Sequence, residues 1–163
     1  MSERRDSIEW SRLRWKEAKQ PEVDHFAAMA AILRLHQIVG SSLDRLLREQ
    51  NLSRTSYLVL ATLQLAKDQT LPMNQLGRRL ILHPTTISLT TDQLQERGLV
   101  TRKPHPTDRR TTLASLTPDG VRTLTTVNQS VGGSHYGLDG VSDRLAITLT
   151  EVIRQVLGAL GDT

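Results

Sequence analysis

Basic and hydroxyl-bearing residues are concentrated in the middle third of the sequence. Seven basic and four acidic residues lie between positions 71 and 120, and this segment supplies most of the net charge of +4. Arginine and lysine side chains bind phosphate and carboxylate groups, and arginine does so through a planar fork of donors. The chemistry that these residues favour is the binding of a polyanionic partner. From charge alone, a basic surface that is only solvated stays open as the alternative.

The residue inventory gives no support to catalysis. The chain contains no cysteine, so disulfides, thiolate nucleophiles, cysteine-bound zinc and thiol-based peroxide sensing are excluded. The sequence shows no Ser/His/Asp grouping, glycine-rich phosphate loop or run of metal ligands. His25 and His36 share a helical face, but their separation of ~16.5 Å, at 1.5 Å per residue, is too long for one metal ion. We predict a protein that is not an enzyme and that binds no cofactor or metal.

The composition is that of one folded domain. The chain has 163 residues, of which only 3% are aromatic, so aliphatic side chains must form the core. Its first 21 residues are too charged to contain the apolar stretch of a signal peptide. No run approaches the 18 apolar residues of a membrane span. We therefore expect a cytoplasmic protein with no membrane partner.

Apolar periodicity predicts a mainly helical chain. Helices are expected at 7–19, 22–50, 54–67, 73–81, 84–97, 117–131 and 142–160. On the helix over 54–67, the side chains of Leu58, Ala61 and Leu65 share one face. The apolar stripes over 22–50 and 142–160 are wider than a single chain of this size can cover, which predicts an obligate dimer.

Two helix boundaries enclose a predicted hairpin. Gly98 and Leu99, following Leu94, are typical of a left-handed helix cap with its hydrophobic contact. Thr117 and Pro118 suit the N-cap and first position of the next helix. The residues between these boundaries predict two strands, at 99–103 and 111–116, joined by the basic loop PHPTDRR.

Two helices joined by a short turn and followed by a hairpin form the winged helix-turn-helix arrangement. Its second helix enters the major groove of DNA, and the hairpin, called the wing, lies beside it. We predict a mainly α (α+β) fold with N- and C-terminal dimerisation helices. The predicted DNA-binding lobe spans 51–120, and the dimerisation region spans 1–50 and 121–163.

The wing resembles that of MarR-type transcriptional regulators. Its matching positions follow the pattern D-x-R and then L-T-x-x-G, at Asp108, Arg110, Leu116, Thr117 and Gly120. The flanking ERGLVTR at 96–102 is also similar, and the resemblance covers about residues 22–160. It implies a homodimeric repressor that reads a palindromic operator in double-stranded DNA. It also implies release by a small phenolic or aromatic ligand.

The candidate DNA contacts lie on the helix at 84–97 and on the wing. The helix directs four polar side chains and one leucine away from its inward face, namely Thr85, Thr86, Ser88, Gln93 and Leu89. The wing supplies Arg102, Lys103, Asp108, Arg109 and Arg110. We expect Asp108 to pair with Arg110 and orient its guanidinium for the minor groove. Relatives carry arginine where Leu89 stands, so we expect Leu89 to contact a thymine methyl group.

Two interpretations stay open for the aromatic and imidazole side chains of Trp10, Trp15, His36 and Tyr57. They suit either an effector pocket or the core. Two alternatives also stay open for the function. One is a nucleoid-type structural protein that binds DNA without sequence preference, and the other is an enzyme or protein-binding module built on winged helices.

Overall fold

The protein is described by a computed structural model that covers residues 6–108 and 110–162. In chain order, its elements are α1 (Ser7–Glu17), α2 (Val23–Arg48), α3 (Arg54–Leu65), β1 (Thr70–Pro72), α4 (Met73–Leu80), α5 (Pro84–Glu96), β2 (Val100–Pro104), β3 (Thr112–Leu116), α6 (Pro118–Gly133) and α7 (Asp143–Ala159). This order confirms the predicted helices and the winged helix-turn-helix fold.

The helix boundaries follow the local signals in the sequence. The Ser53 hydroxyl accepts a hydrogen bond from the Ser56 amide at 3.0 Å and caps α3. The Thr117 hydroxyl accepts one from the Gly120 amide at 3.0 Å and caps α6. Gly98 has φ +70°, and this left-handed turn lets the Leu99 amide donate to the Leu94 carbonyl at 2.9 Å. The predicted caps are confirmed.

The sheet has three antiparallel strands in the order β1-β3-β2. The predicted two-stranded hairpin is confirmed by the pairing of β2 with β3. The third strand, β1, was not predicted, because a segment of only three residues is too short to show periodicity. It is held by β3, where Thr70 pairs with Ser115 and their hydroxyl oxygens are 2.8 Å apart. β1 therefore ties the start of α4 to the base of the wing.

One hydrophobic core joins the end of α2 to α3, α4, α5, the sheet and α6. Its fully buried side chains include Leu47, Leu60, Leu63, Leu76, Ile87, Leu94, Leu124 and Val127. On α3 the buried side contains Tyr57, Val59, Leu60 and Leu63. Leu58 and Leu65, from the face predicted by spacing, are exposed. α3 is apolar on most of its circumference, so spacing alone does not select the side that packs inward.

The two terminal regions bury little apolar surface within the described chain. α1 and α7 have no buried residue, and α2 buries only Ala27, Gly40 and Leu47. Ile147 is 70% exposed and Leu33 is 60% exposed. Contiguous apolar surface of this kind marks an interaction site.

By length and composition alone, α2 is long and apolar enough to cross a membrane. It still contains no uninterrupted run of 18 apolar residues, because polar and charged side chains recur along it. Arg34 and His36 lie in the middle of α2, where ionisable side chains are costly in a bilayer. The same exposed apolar face suits burial against another helix.

Candidate nucleic-acid interface

α5 separates a buried face from an exposed one. Ile87, Thr90, Thr91 and Leu94 are buried, and the Thr91 hydroxyl donates to the Ile87 carbonyl at 2.7 Å. The candidate contacts Thr85, Thr86, Leu89 and Gln93 are exposed, and Ser88 is half-buried. The helix begins with Pro84, after His83, whose Nδ1 accepts a hydrogen bond from the Thr85 amide at 3.3 Å. This geometry leaves a row of side chains available for contact with a ligand.

The wing strand β2 is attached to α5 through Arg102. Its Nε donates to Gln95 Oε1 at 3.0 Å, and its guanidinium forms an ion pair with Asp92. The Arg102 side chain is 28% exposed. Lys103, the next residue in the strand, is exposed and points to the opposite face because side chains alternate along a strand. Arg102 and Lys103 therefore occupy different environments.

The wing tip is ordered by Asp108. Its Oδ1 accepts from the backbone amide of Arg110 at 3.0 Å, and its Oδ2 accepts from the Thr111 hydroxyl at 2.6 Å. These bonds, the hydroxyl first and the amide second, lower the pKa of the Asp108 carboxyl. The expected pairing of the carboxylate with the Arg110 guanidinium was wrong, because the two nearest donors belong to the turn itself. Arg109 lies outside the described residues.

An open groove lies between α4, α5 and the wing. Its lining includes the half-buried Ser88 and three cationic side chains, Arg78, Arg102 and Arg110. The guanidinium of Arg102 is already paired with Asp92. Arg78 and Arg110 thus bring positive charge from α4 and from the wing to one side of the lobe. An anionic polymer can contact both elements from that side.

The four candidate ligand residues lie in different surroundings. The ring of Trp15 stacks on Phe26 with centroids 3.9 Å apart, and its Nε1 donates to the Pro21 carbonyl at 2.8 Å. Tyr57 is buried, and its hydroxyl donates to Asn128 Oδ1 at 2.9 Å. Trp10 and His36 are exposed on α1 and α2. Trp15 and Tyr57 thus hold helices together within one chain.

Sequence reasoning missed the link from Arg102 to Asp92 and Gln95. Asp92 and Gln95 are three positions apart, which places them on one side of α5. That spacing indicates that one long cationic side chain could contact both of them. The strand that would supply the cation could not be aligned with α5 without the tertiary fold.

Comparison with known proteins finds a family model that matches most of this lobe. A family model described as "MarR family" matches residues 52–112. A regulator from Bacillus subtilis, the HTH-type transcriptional regulator MhqR, is 31% identical over 91 residues. That alignment covers 56% of this chain and 61% of the relative. The chain therefore matches somewhat less than two thirds of the length of this curated relative.

Solved structures extend the similarity beyond the lobe. Sco5413, a MarR family transcriptional regulator from Streptomyces coelicolor, has a TM-score of 0.78 and 29% identity, covering 86% of this chain and 98% of its own. Sco3205 from the same organism, solved in complex with DNA, has a TM-score of 0.75 and 22% identity, covering 85% and 89%. The fold and the exposed helix beside a basic wing define a winged helix-turn-helix protein. Within that class, residues 52–112 match the MarR family model, and the chain is similar to a MarR family regulator over most of its length.

Proposed function

We propose that the protein is a dimeric, sequence-specific DNA-binding transcriptional regulator located in the cytoplasm. In this proposal, α5 enters the major groove and the wing tip reaches an adjacent minor groove. The main observation in its support is the row of exposed side chains on α5, which lies next to a groove lined by Arg78 and Arg110. The complex of Sco3205 with DNA supports the assignment by similarity of fold.

The first test compares specific with non-specific binding. Affinity is measured for the DNA upstream of the protein's own gene and for random duplex of equal length, over a series of salt concentrations. Non-specific binding is almost entirely electrostatic, so we expect a large preference that persists at high salt. A specific site is typically bound at least ~10³-fold more tightly than random DNA. Equal affinities with equal salt slopes would instead support the nucleoid-type alternative.

Arg110→Ala tests the contribution of the wing. An arginine in a narrow minor groove reads shape as well as charge, so we expect a larger loss on the operator than on random DNA. Arg78→Ala serves as the matched control, because it removes one positive charge from α4 and leaves the wing unchanged. Each variant should reduce the salt slope by about one unit. If Arg110→Ala lowered the affinity for operator and for random DNA by the same factor, Arg110 would be a phosphate contact only.

We further propose that the regulator is a repressor released by a small aromatic or phenolic ligand. Trp15 and Tyr57 have partners within one chain, whereas Trp10 and His36 are exposed on the helices assigned to the dimer. A complete pocket would therefore include surface from a second copy. A thermal-shift screen of phenolic and aromatic acids, followed by competition against bound operator, tests this proposal. Stabilising compounds that leave operator affinity unchanged would contradict it.

A further inference from the structure

The exposed row of α5 contains no basic side chain. Thr85, Thr86, Leu89 and Gln93 are exposed and follow one another at spacings of one, three or four residues, which places them along one side of the helix. Asp92, at the margin of the row, is neutralised by Arg102 from the wing. What α5 offers to a ligand is therefore a set of hydroxyl, methyl, isobutyl and amide groups.

Base edges in the major groove differ in the hydrogen-bonding and apolar groups that they present to a protein. Guanine presents two acceptors, which arginine or lysine engages best. Thymine presents a C5-methyl group, the apolar feature of that groove, and adenine suits the amide of glutamine or asparagine. The exposed row of α5 matches thymine and adenine and lacks the side chains for guanine.

Leu89 is the apolar centre of this row. Its side chain is 59% exposed. It is one helical turn from both Thr85 and Gln93, or ~6 Å along the axis at 1.5 Å per residue. That distance is roughly two base steps of 3.4 Å. A single exposed leucine needs no explanation by itself, but this one occupies the middle of the surface that would face the bases.

We propose that α5 selects a half-site rich in A·T pairs and that Leu89 is the specificity-determining residue, packing on one thymine methyl group. This inference rests on the DNA-binding function proposed above. The wing is consistent with it, because Arg110 lines the groove beside α5, and arginine favours the narrow minor groove that A·T tracts provide.

The test removes one methyl group at a time from the DNA. A preferred site is obtained by binding-site selection with the wild-type protein. Each thymine in that site is then replaced by deoxyuridine, which lacks only the C5-methyl group. At one thymine per half-site, we expect a loss of about fourfold, the ~0.8 kcal/mol of one buried methyl-sized group.

The variant Leu89→Ala should bind the thymine and deoxyuridine forms of that position equally. Leu65→Ala is the matched control, since Leu65 is 88% exposed on α3 and should leave the deoxyuridine effect intact. A selected site with no position at which the deoxyuridine effect depends on Leu89 would overturn this inference alone. Failure to select any sequence would overturn it together with the proposed sequence-specific function.

Discussion

At the scale of single residues, the charged side chains near α5 differ in whether they already have a partner within the lobe. Arg102 is occupied by Asp92 and Gln95 of α5, whereas Lys103 and the Arg110 side chain have no ion pair among the described residues. The carboxylate of Asp108 is used to close the wing turn. A basic residue in the wing therefore cannot be assigned to DNA from its charge alone.

Arg102→Ala should weaken operator binding more than Lys103→Ala. Loss of the guanidinium leaves the Asp92 carboxylate unpaired beside the proposed DNA-binding surface, where it would repel phosphate, and also loosens the contact between α5 and the wing. We expect a loss of about tenfold, or ~1.4 kcal/mol, by fluorescence anisotropy with labelled operator. Adding Asp92→Asn to Arg102→Ala should restore part of the affinity. Equal losses for the two single variants, without rescue, would identify Arg102 as an ordinary phosphate contact.

Tyr57→Phe should lower the free energy of unfolding by about 1 kcal/mol at neutral pH, because the hydrogen bond to Asn128 is lost. Burial, and then the charge of Tyr136, raise the pKa of Tyr57. The unfolded state thus loses this proton first, near a pH of about 10. The stabilisation is complete below that pH and declines as pH rises through the folded-state value. Urea unfolding at pH 8 and 10.5 should show the wild-type advantage shrinking, and a constant difference would contradict this.

At the scale of elements, the lobe depends on close contact between the start of α6 and the wing. A Cβ at Gly120 would lie 2.2 Å from the Leu99 carbonyl oxygen and 2.8 Å from Leu116 Cδ1. The backbone of Leu99 also accepts from the Thr117 amide at 3.1 Å. The glycine of the L-T-x-x-G pattern is thus required by the approach of a helix to β2 and β3.

Gly120→Ala should destabilise the fold by roughly 1–3 kcal/mol, the usual range for overpacking. The displaced carbonyl belongs to the chain that enters the wing, so operator affinity should also fall. Gly133→Ala, at the other end of α6, is the matched control, since nothing lies within 4 Å of the added Cβ. Its effect should stay within about 0.5 kcal/mol. Denaturant titration of both variants gives the comparison, and similar stabilities would contradict the close-approach argument.

At the scale of the whole molecule, the chain divides into a well-packed lobe and helices with exposed apolar faces. The core extends from the end of α2 to α6, whereas α7 has no buried residue. Leu145, Val152 and Val156 are each more than two-fifths exposed. A second copy that covers α2 and α7 would bury these side chains and give the two lobes the symmetry of a palindromic operator.

Val152→Glu should disrupt the dimer, because it places a charge in the apolar face of α7. We expect the wild type to stay dimeric at sub-micromolar concentration in sedimentation velocity, and the variant to dissociate and lose helical signal. Thr150→Glu, two positions away and on the other side of the helix, is the control and should remain dimeric. A compact, folded wild-type monomer under these conditions would contradict the proposal.

Local signals in the sequence were sufficient for the helices, their caps and the wing. Gly98, Thr117 and Pro118 act within a few residues of themselves, so the sequence around them determines the backbone. The split of α5 into an inward face with Ile87 and an outward face with Leu89 also follows from helical period alone.

The tertiary structure decided the features that depend on distant segments. β1 exists because β3 lies beside it, and the buried side of α3 is set by the helices around it. The partner of Arg102 depends on how the wing docks on α5, and Asp108 bonds to its own turn because those donors are nearest. These outcomes depend on packing between elements that are distant in the sequence. The spacing of residues along the chain does not show which elements pack together.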